Sequence, residues 1–210
     1  MRRKIAVVML IGMIVLSGCL STTFSAPQAT INESIASENE YKITDQQEIS
    51  LNRKINISGY VQEFAINSNY TLYQKNISNE YITNISNSPV LFATLNTPSI
   101  KYNGESYSPI ANTQQTEPIK SLMTAQFNDS VKINEKINTI NKTHNNKNYT
   151  ISEYNATYTI PNADINLKGK MLITIIKLDD STVIIAGGYP NTYSEQRETM
   201  ITFIENIKSN

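Results

Sequence analysis

His144 is the single histidine of this chain and Cys19 its single cysteine, so nucleophilic and metal chemistry have little to start from. A Ser-His-Asp relay or a His-bearing metal site would have to use His144 alone. It sits in the polar run Thr143-His144-Asn145-Asn146-Lys147, which reads as a solvated turn. One cysteine makes no intrachain disulfide and, beside one histidine, no Cys/His zinc set. The carboxylates are no better grouped. Asp179-Asp180 falls where a hairpin reverses, a place aspartate favours for its local hydrogen bonding. No third oxygen-bearing residue completes the spacing of a calcium loop. Glu153 and Asp164 could meet across a sheet, but nothing in the pattern puts them in a cleft. Gly187-Gly188 lies between a strand and a helix without the GxGxxG or GxxxxGK(S/T) context of a phosphate loop, and reads as a strand-ending turn. The expectation is a chain with no catalytic residues, no metal and no cofactor.

Cys19 has a different chemistry in prospect. Met1-Arg2-Arg3-Lys4 supplies three side-chain positive charges, and Ile5 to Leu16 is an apolar run of twelve residues. A basic head, a short apolar stretch and then small residues make an export signal rather than a fold element. As a helix, twelve residues rise about 18 Å, short of the roughly 30 Å hydrocarbon core. Leu16-Ser17-Gly18-Cys19 resembles the lipobox of prokaryotic lipoproteins. That resemblance implies a signal peptide over residues 1–18 and a lipid on Cys19 as the first mature residue. The alternative is an uncleaved anchor helix with an incidental cysteine. Either way the bulk of the protein is expected outside the cytoplasm and tied to the membrane.

Charge narrows the partners. Lys+Arg and Asp+Glu both number 18; removing the three cations of the signal leaves 15 against 18, a net charge near −3. That offers no case for nucleic acid, which needs clustered Lys and Arg. A hydrophobic content of 40% with 17% charged residues suits a folded, mostly β domain rather than a disordered stalk. Nine Asn-x-Ser/Thr triplets begin at Asn32, Asn56, Asn69, Asn76, Asn84, Asn128, Asn141, Asn148 and Asn155. In an exported chain these are open to N-glycosylation, foremost Asn56, Asn69, Asn76, Asn84, Asn141, Asn148 and Asn155. Twelve tyrosines, Tyr70, Tyr73, Tyr154 and Tyr158 among them, suit either a binding face or simple strand packing; packing is the plainer reading.

The elements follow from periodicity. A Ser/Thr-rich tether occupies 19–28 and one domain fills 29–210. Thr30 and Glu33 have capping-box spacing for a short helix ending near Asn39. Ile55 to Val61 alternates as a strand, Val90 to Leu95 is an apolar run read as a strand buried on both faces or under a helix, and Asn103-Gly104 turns a hairpin. Glu117-Pro118 opens a helix toward Phe127. Lys132–Ile140 and Tyr149–Ile160 form strands, and Ile165–Ile175 alternates with its odd positions expected in the core. Thr182 to Ala186 returns beside it, and a last helix carries Met200, Phe203, Ile204 and Ile207 in one stripe across the sheet. The order of elements, with no βαβ alternation, predicts one α+β domain: an antiparallel sheet covered by helices.

Three segments also carry a family resemblance: the lipobox, Phe92–Ile110 with its Thr-Pro, Gly and Ser-Pro pattern, and Asp180–Pro190 with the final helix. In that order they resemble an uncharacterised family of archaeal lipoproteins, found in haloarchaea and methanogens. The family implies no activity and no functional residues. The lack of strong acidity sets this chain apart from haloarchaeal members and points to a low-salt habitat. More distantly, the hairpin and C-terminal helix look like the Mog1/PsbP-type α/β/α sandwich. The functional expectation is a non-enzymatic, lipid-anchored binding or accessory domain, acting through its sheet face or hairpin loops on another envelope protein or polymer. A carrier with a pocket between sheet and helix is the alternative, and a carboxylate-based envelope hydrolase the third.

Overall fold

Alternating β-branched and aromatic residues fill most of the chain, and strands are what they build. The computed structural model describes residues 23–57, 59–75, 90–102, 105–108, 120, 131–144, 147–160 and 165–209. In chain order these form β1 (Thr23–Ser25), β2 (Ala29–Thr30), α1 (Glu33–Glu38), β3 (Tyr41–Ile57), β4 (Tyr60–Lys75), β5 (Leu91–Pro98), β6 (Ile100–Tyr102) and β7 (Glu105–Tyr107). Then come β8 (Val131–His144), β9 (Lys147–Ile160), β10 (Ile165–Lys177), β11 (Ser181–Pro190), a 3₁₀ turn (Asn191–Tyr193), α2 (Gln196–Glu205) and β12 (Lys208–Ser209).

Eight strands make one sheet in the order β1-β4-β5-β11-β10-β9-β8, with β3 also paired to β4. Asn69 to Gln74 of β4 pair with both β3 and β5, which makes β3 an outer strand. Every pairing is antiparallel except β1 with β4, so the sheet is mixed rather than wholly antiparallel as the sequence led one to expect. The parallel pair also moves the start of the fold. Residues 23–28, read from the sequence as tether, are structured: Thr23 to Ser25 register with Ala65 to Asn67, and Ala26 is buried.

Two cores lie on opposite faces of the sheet. On one, Phe92, Leu172, Val183 and Ile185 meet Met200, Phe203 and Ile204 of α2 and Ala36 of α1. Phe203 packs edge-on against both Tyr41 and Phe92. The stripe on the last helix thus lies on the sheet as its spacing predicted. On the other face Tyr70, Leu95, Tyr154, Tyr158, Met171 and Ile184 form the second core. There the ammonium of Lys120, a helical residue, stands 4.5 Å from the Tyr154 ring centroid, a cation–π contact. Burial on two faces overturns the expectation for β10. Met171 and Ile173 do face one core, but Leu172 and Ile176 enter the other, and Ile165 is exposed. Helices cover the sheet only in part: among the described residues, α1 and α2 lie on one face, and the rest of the helix read at Glu117–Phe127 lies outside them.

Two further local readings change. Ile55–Val61, read as one strand, is split by a hairpin turn in which Gly59 takes φ +89°, a conformation most side chains resist. Helix α1 is capped by Asn32, whose Oδ1 accepts from the Ser34 amide, while Thr30 belongs to β2. The hairpin β6–β7 is present, with Asn103-Gly104 themselves outside the described residues.

Candidate functional site

The N-terminal segment crosses the sheet as a strap, and side chains of β4 and β5 hold its backbone. The Asn69 amide donates to the Ala26 carbonyl at 2.6 Å, the Asn96 amide to the Pro27 carbonyl at 2.8 Å, and the Thr94 hydroxyl to the Ala29 carbonyl at 2.8 Å. The Ile31 amide donates to the Tyr73 phenolic oxygen at 3.2 Å. Burial holds the Tyr73 phenol above its ordinary range, and the Ile31 bond pulls against that. Ala29 and Ile31 are buried beneath the strap, and β12 clips its far side by pairing Lys208 with Thr30 and Ser209 with Ala29. These four side chains meet the demand that buried backbone polar groups be paired. Sequence reasoning missed them. The available signal was asparagine inside strongly β-forming runs, where its local hydrogen bonding normally disfavours it.

Beside the strap lies a half-open groove of about 630 Å³, between α1 and the start of β3. Ile31, Ala36, Ile43 and the rings of Tyr41 and Tyr73 supply its apolar lining; Glu33, Lys42 and Lys208 supply charge. A register shift between Ile43 and Asp45 bulges β3 at this point, and bulges re-aim side chains. Ile43 stays 47% exposed at the rim while Tyr41 is buried, its hydroxyl donating to Gln196 Oε1 at 3.1 Å. The volume falls within the range of small-molecule sites.

Two of the carboxylates with catalytic chemistry in prospect, Glu153 and Asp180, are held in ion pairs. Glu153, nearly buried on β9, pairs with Arg197 of α2 at 3.2 Å and accepts from Asn138 at 3.4 Å. The carboxylate bonds raise the Arg197 guanidinium pKa above its ordinary value. Asp164 lies outside the described residues. Asp180, exposed in the β10–β11 turn, pairs with Lys101, and its carbonyl accepts from the Ser99 amide. His144 ends β8 opposite Lys147, so that turn is tighter than the five-residue run suggested. No group of three or more His, Cys, Asp or Glu that could hold a metal occurs among the described residues.

Gly187-Gly188 does not end a strand; both lie inside β11, which is buried throughout. Each glycine admits a neighbour on its own face. A Cβ on Gly187 would stand 2.8 Å from Met200 Sδ, and one on Gly188 2.5 Å from the Tyr158 hydroxyl oxygen. Tyr158 also crosses Gly169 on its way to donate to the Lys170 carbonyl. The tyrosines follow the same logic: Tyr41, Tyr70, Tyr73, Tyr149, Tyr154, Tyr158 and Tyr189 are all buried and pack the fold, Tyr41 and Tyr73 also lining the groove.

A model of the domain of unknown function DUF6517 matches residues 28–208, from the strap to the β12 strand that clips it. The chain belongs to the DUF6517 family. No curated protein matches it. Among solved structures it is similar to cyanobacterial PsbP (CyanoP) from Synechocystis sp. PCC 6803, with a TM-score of 0.41 and 9% identity, covering 93% of this chain and 99% of that one.

The sequons of this DUF6517 domain are placed unequally. Asn69 is part-buried and its amide is bound to the strap, so a glycan there would displace that bond. The Asn155 amide donates to Glu135, and its Oδ1 accepts from Lys170 Nζ at 2.7 Å. Asn141 and Asn148 are exposed across the β8–β9 hairpin, each accepting from the other sequon's threonine, Thr150 and Thr143. Asn56 lies in β3 opposite Val61, and Asn32 caps α1. Cys19, Asn76, Asn84 and Asn128 lie outside the described residues. No helix among the described residues is long and apolar enough to cross a membrane.

Proposed function

We propose that this DUF6517 protein is a lipid-anchored, non-enzymatic binding or accessory domain on the outer face of the cell membrane, held by Cys19 and acting on another envelope protein or polymer. The lipobox and the resemblance to archaeal lipoproteins support the anchor. The observation that carries the reading is the bound strap. Thr23 is already paired in the sheet, four residues after Cys19, so covalent geometry limits the reach between them to about 14 Å. A domain tied that closely is held near the bilayer with a restricted bearing, which serves presentation to a neighbour. The central strands β5 and β11 are buried on both faces, so among the described residues the surfaces open to a partner are the outer strands, the hairpins and the groove. Glu153 and Asp180 are engaged in ion pairs, which supports a role without catalysis.

The test is crosslinking and recovery of the native membrane protein beside the Cys19→Ser form. One dominant envelope partner, weakened in the unanchored form, is the expected result; recovery of the chain alone would count against it.

The groove favours a second reading, a small-ligand carrier. Its 630 Å³ joins aromatic rings to charges of both signs. Native mass spectrometry of the gently purified protein would then find a stoichiometric bound molecule, lost in an Ala36→Trp variant that fills the groove.

A further inference from the structure

Of the two long outer strands of the sheet, β3 keeps an open edge and β8 does not. β8 breaks register twice, between Ile133 and Lys136 and between Lys136 and Asn138, and it carries Lys132, Lys136 and Lys142. Bulges and lysines of that kind blunt an edge against further pairing. β3 shifts once, between Ile43 and Asp45, then keeps register with β4 from Asp45 to Ile57 without a proline. Residues 69–74 of β4 pair with β3 on one side and β5 on the other, so the stretch of β3 opposite them has no strand on its outer side among the described residues. Lys42 to Glu48 are exposed without a break, seven residues in succession. A strand with one covered face would alternate.

Two features give that edge a chemistry. The groove of about 630 Å³ adjoins its start, with Ile43, 47% exposed, beside buried Ile31 and Ala36 in the lining. Past the groove the edge is acidic. Asp45 and Glu48 pair with no cation among the described residues, and their cross-strand neighbours, Leu72 and Asn69, are uncharged. The cations of β3 lie to either side, Lys42 at the groove and Arg53 and Lys54 past Leu51, Lys54 registering with Glu63. When a peptide adds to a sheet edge, main-chain pairing supplies affinity and pockets for its side chains supply specificity. β3 offers an unpaired backbone, an apolar pocket and two uncompensated carboxylates along one stretch.

We infer that β3 is a docking edge: an extended segment of another envelope protein adds to it along residues 42–48, places an apolar side chain in the groove and sets Lys or Arg against Asp45 and Glu48. The inference rests on the accessory-domain reading above and names its surface and the chemistry of its partner. Seven residues of added strand span about 23 Å. Over so short a contact the groove and the two carboxylates decide which segment is taken.

Cys19 is the single cysteine of the chain, so an introduced thiol carries a label to a chosen place. Gln47→Cys and Thr139→Cys put one at exposed positions of β3 and β8. Each full-length chain is labelled with benzophenone maleimide, returned to membranes of its own cells and irradiated, and the joined peptides are sequenced. An adduct at 47 to a Lys- or Arg-bearing segment of another protein, with none at 139, is the expected result. Asp45→Lys together with Glu48→Lys, at unchanged circular dichroism, is expected to lower the yield at 47 about tenfold. An undiminished yield in that variant overturns the inference. Adducts at 139 alone or equally at both positions overturn the edge and leave the accessory reading standing. So does the absence of adducts where the unlabelled chain still yields its crosslinked partner. A joined peptide from this chain itself makes the occupant a second copy and overturns the partner. No adduct at either position, with the chain recovered alone, overturns both readings.

Discussion

Asn69 donates its side-chain amide to the Ala26 carbonyl at 2.6 Å, fastening the N-terminal strap to β4. Asparagine is a poor strand residue, and here its amide does what a neighbouring strand's amide would otherwise do. Asn96 repeats the arrangement on β5 with Pro27. Replacing either by alanine leaves a backbone carbonyl without its donor, at a cost of about 1–2 kcal/mol. Hydrogen exchange of residues 26–31 accelerates in both variants before the sheet opens, as exchange mass spectrometry would record. The same bond predicts that Asn69 carries no glycan in the folded protein. Glycopeptide analysis checks that, with any occupancy expected at exposed Asn141 or Asn148.

Gly187 and Gly169 fail differently when filled. At Gly187 the obstacle is the flexible Met200 side chain, so Gly187→Ala costs about 1–3 kcal/mol and Met200→Ala recovers part of it. At Gly169 the new methyl would meet backbone, the Tyr189 carbonyl and Pro190 Cα, the latter at 2.8 Å, as well as the Tyr158 ring. Gly169→Ala is expected to lose the fold, and denaturant titration of the three variants gives the order.

The Glu153–Arg197 pair is asymmetric. The Glu153 side chain is 8% exposed and that of Arg197 29%. Removing Arg197 strands a buried carboxylate, whereas removing Glu153 leaves a guanidinium with water and Glu198 at 2.7 Å. Arg197→Ala is expected to cost roughly 2–3 kcal/mol, discounted for its partial exposure, and Glu153→Ala about 1 kcal/mol. Thermal or urea unfolding of the two variants separates them.

Alkaline pH should unfold the protein through its tyrosines. Burial first, then nearby Asp45 and Glu153 respectively, push the Tyr70 and Tyr189 phenols up to about 12. Unfolded tyrosine titrates near 10. The folded state thus holds protons that the unfolded state has lost, and the stability these residues contribute is complete below pH 10 and declines from 10 to 12. Phenolate absorbance is expected to lag behind a free-tyrosine curve and then to rise with the loss of circular dichroism.

The elements that showed in the sequence are those whose pattern is local. The Met200, Phe203 and Ile204 stripe, the buried run of β5 and the paired strands 131–160 each follow from spacing within one segment. Three features did not show. The Ile55–Val61 alternation continues through a turn, because the positive φ of Gly59 is a backbone feature that leaves the apolar period unbroken. Gly187-Gly188 looks like a stop until Met200 and Tyr158 are seen against its two faces. The strap is polar backbone held by polar side chains, so it leaves no hydrophobic period to read. The groove joins α1, β3 and the strap and has no linear signature, whereas the anchor proposed at Cys19 rests on a contiguous pattern, Leu16-Ser17-Gly18-Cys19.

The most direct test of the anchored reading is mass spectrometry of the N-terminal peptide of the protein taken from membranes of its own cells. A mature chain beginning at Cys19 and carrying a lipid adduct is the predicted result. An unmodified Cys19 inside an uncleaved chain, or recovery of the protein in the soluble fraction, would contradict it.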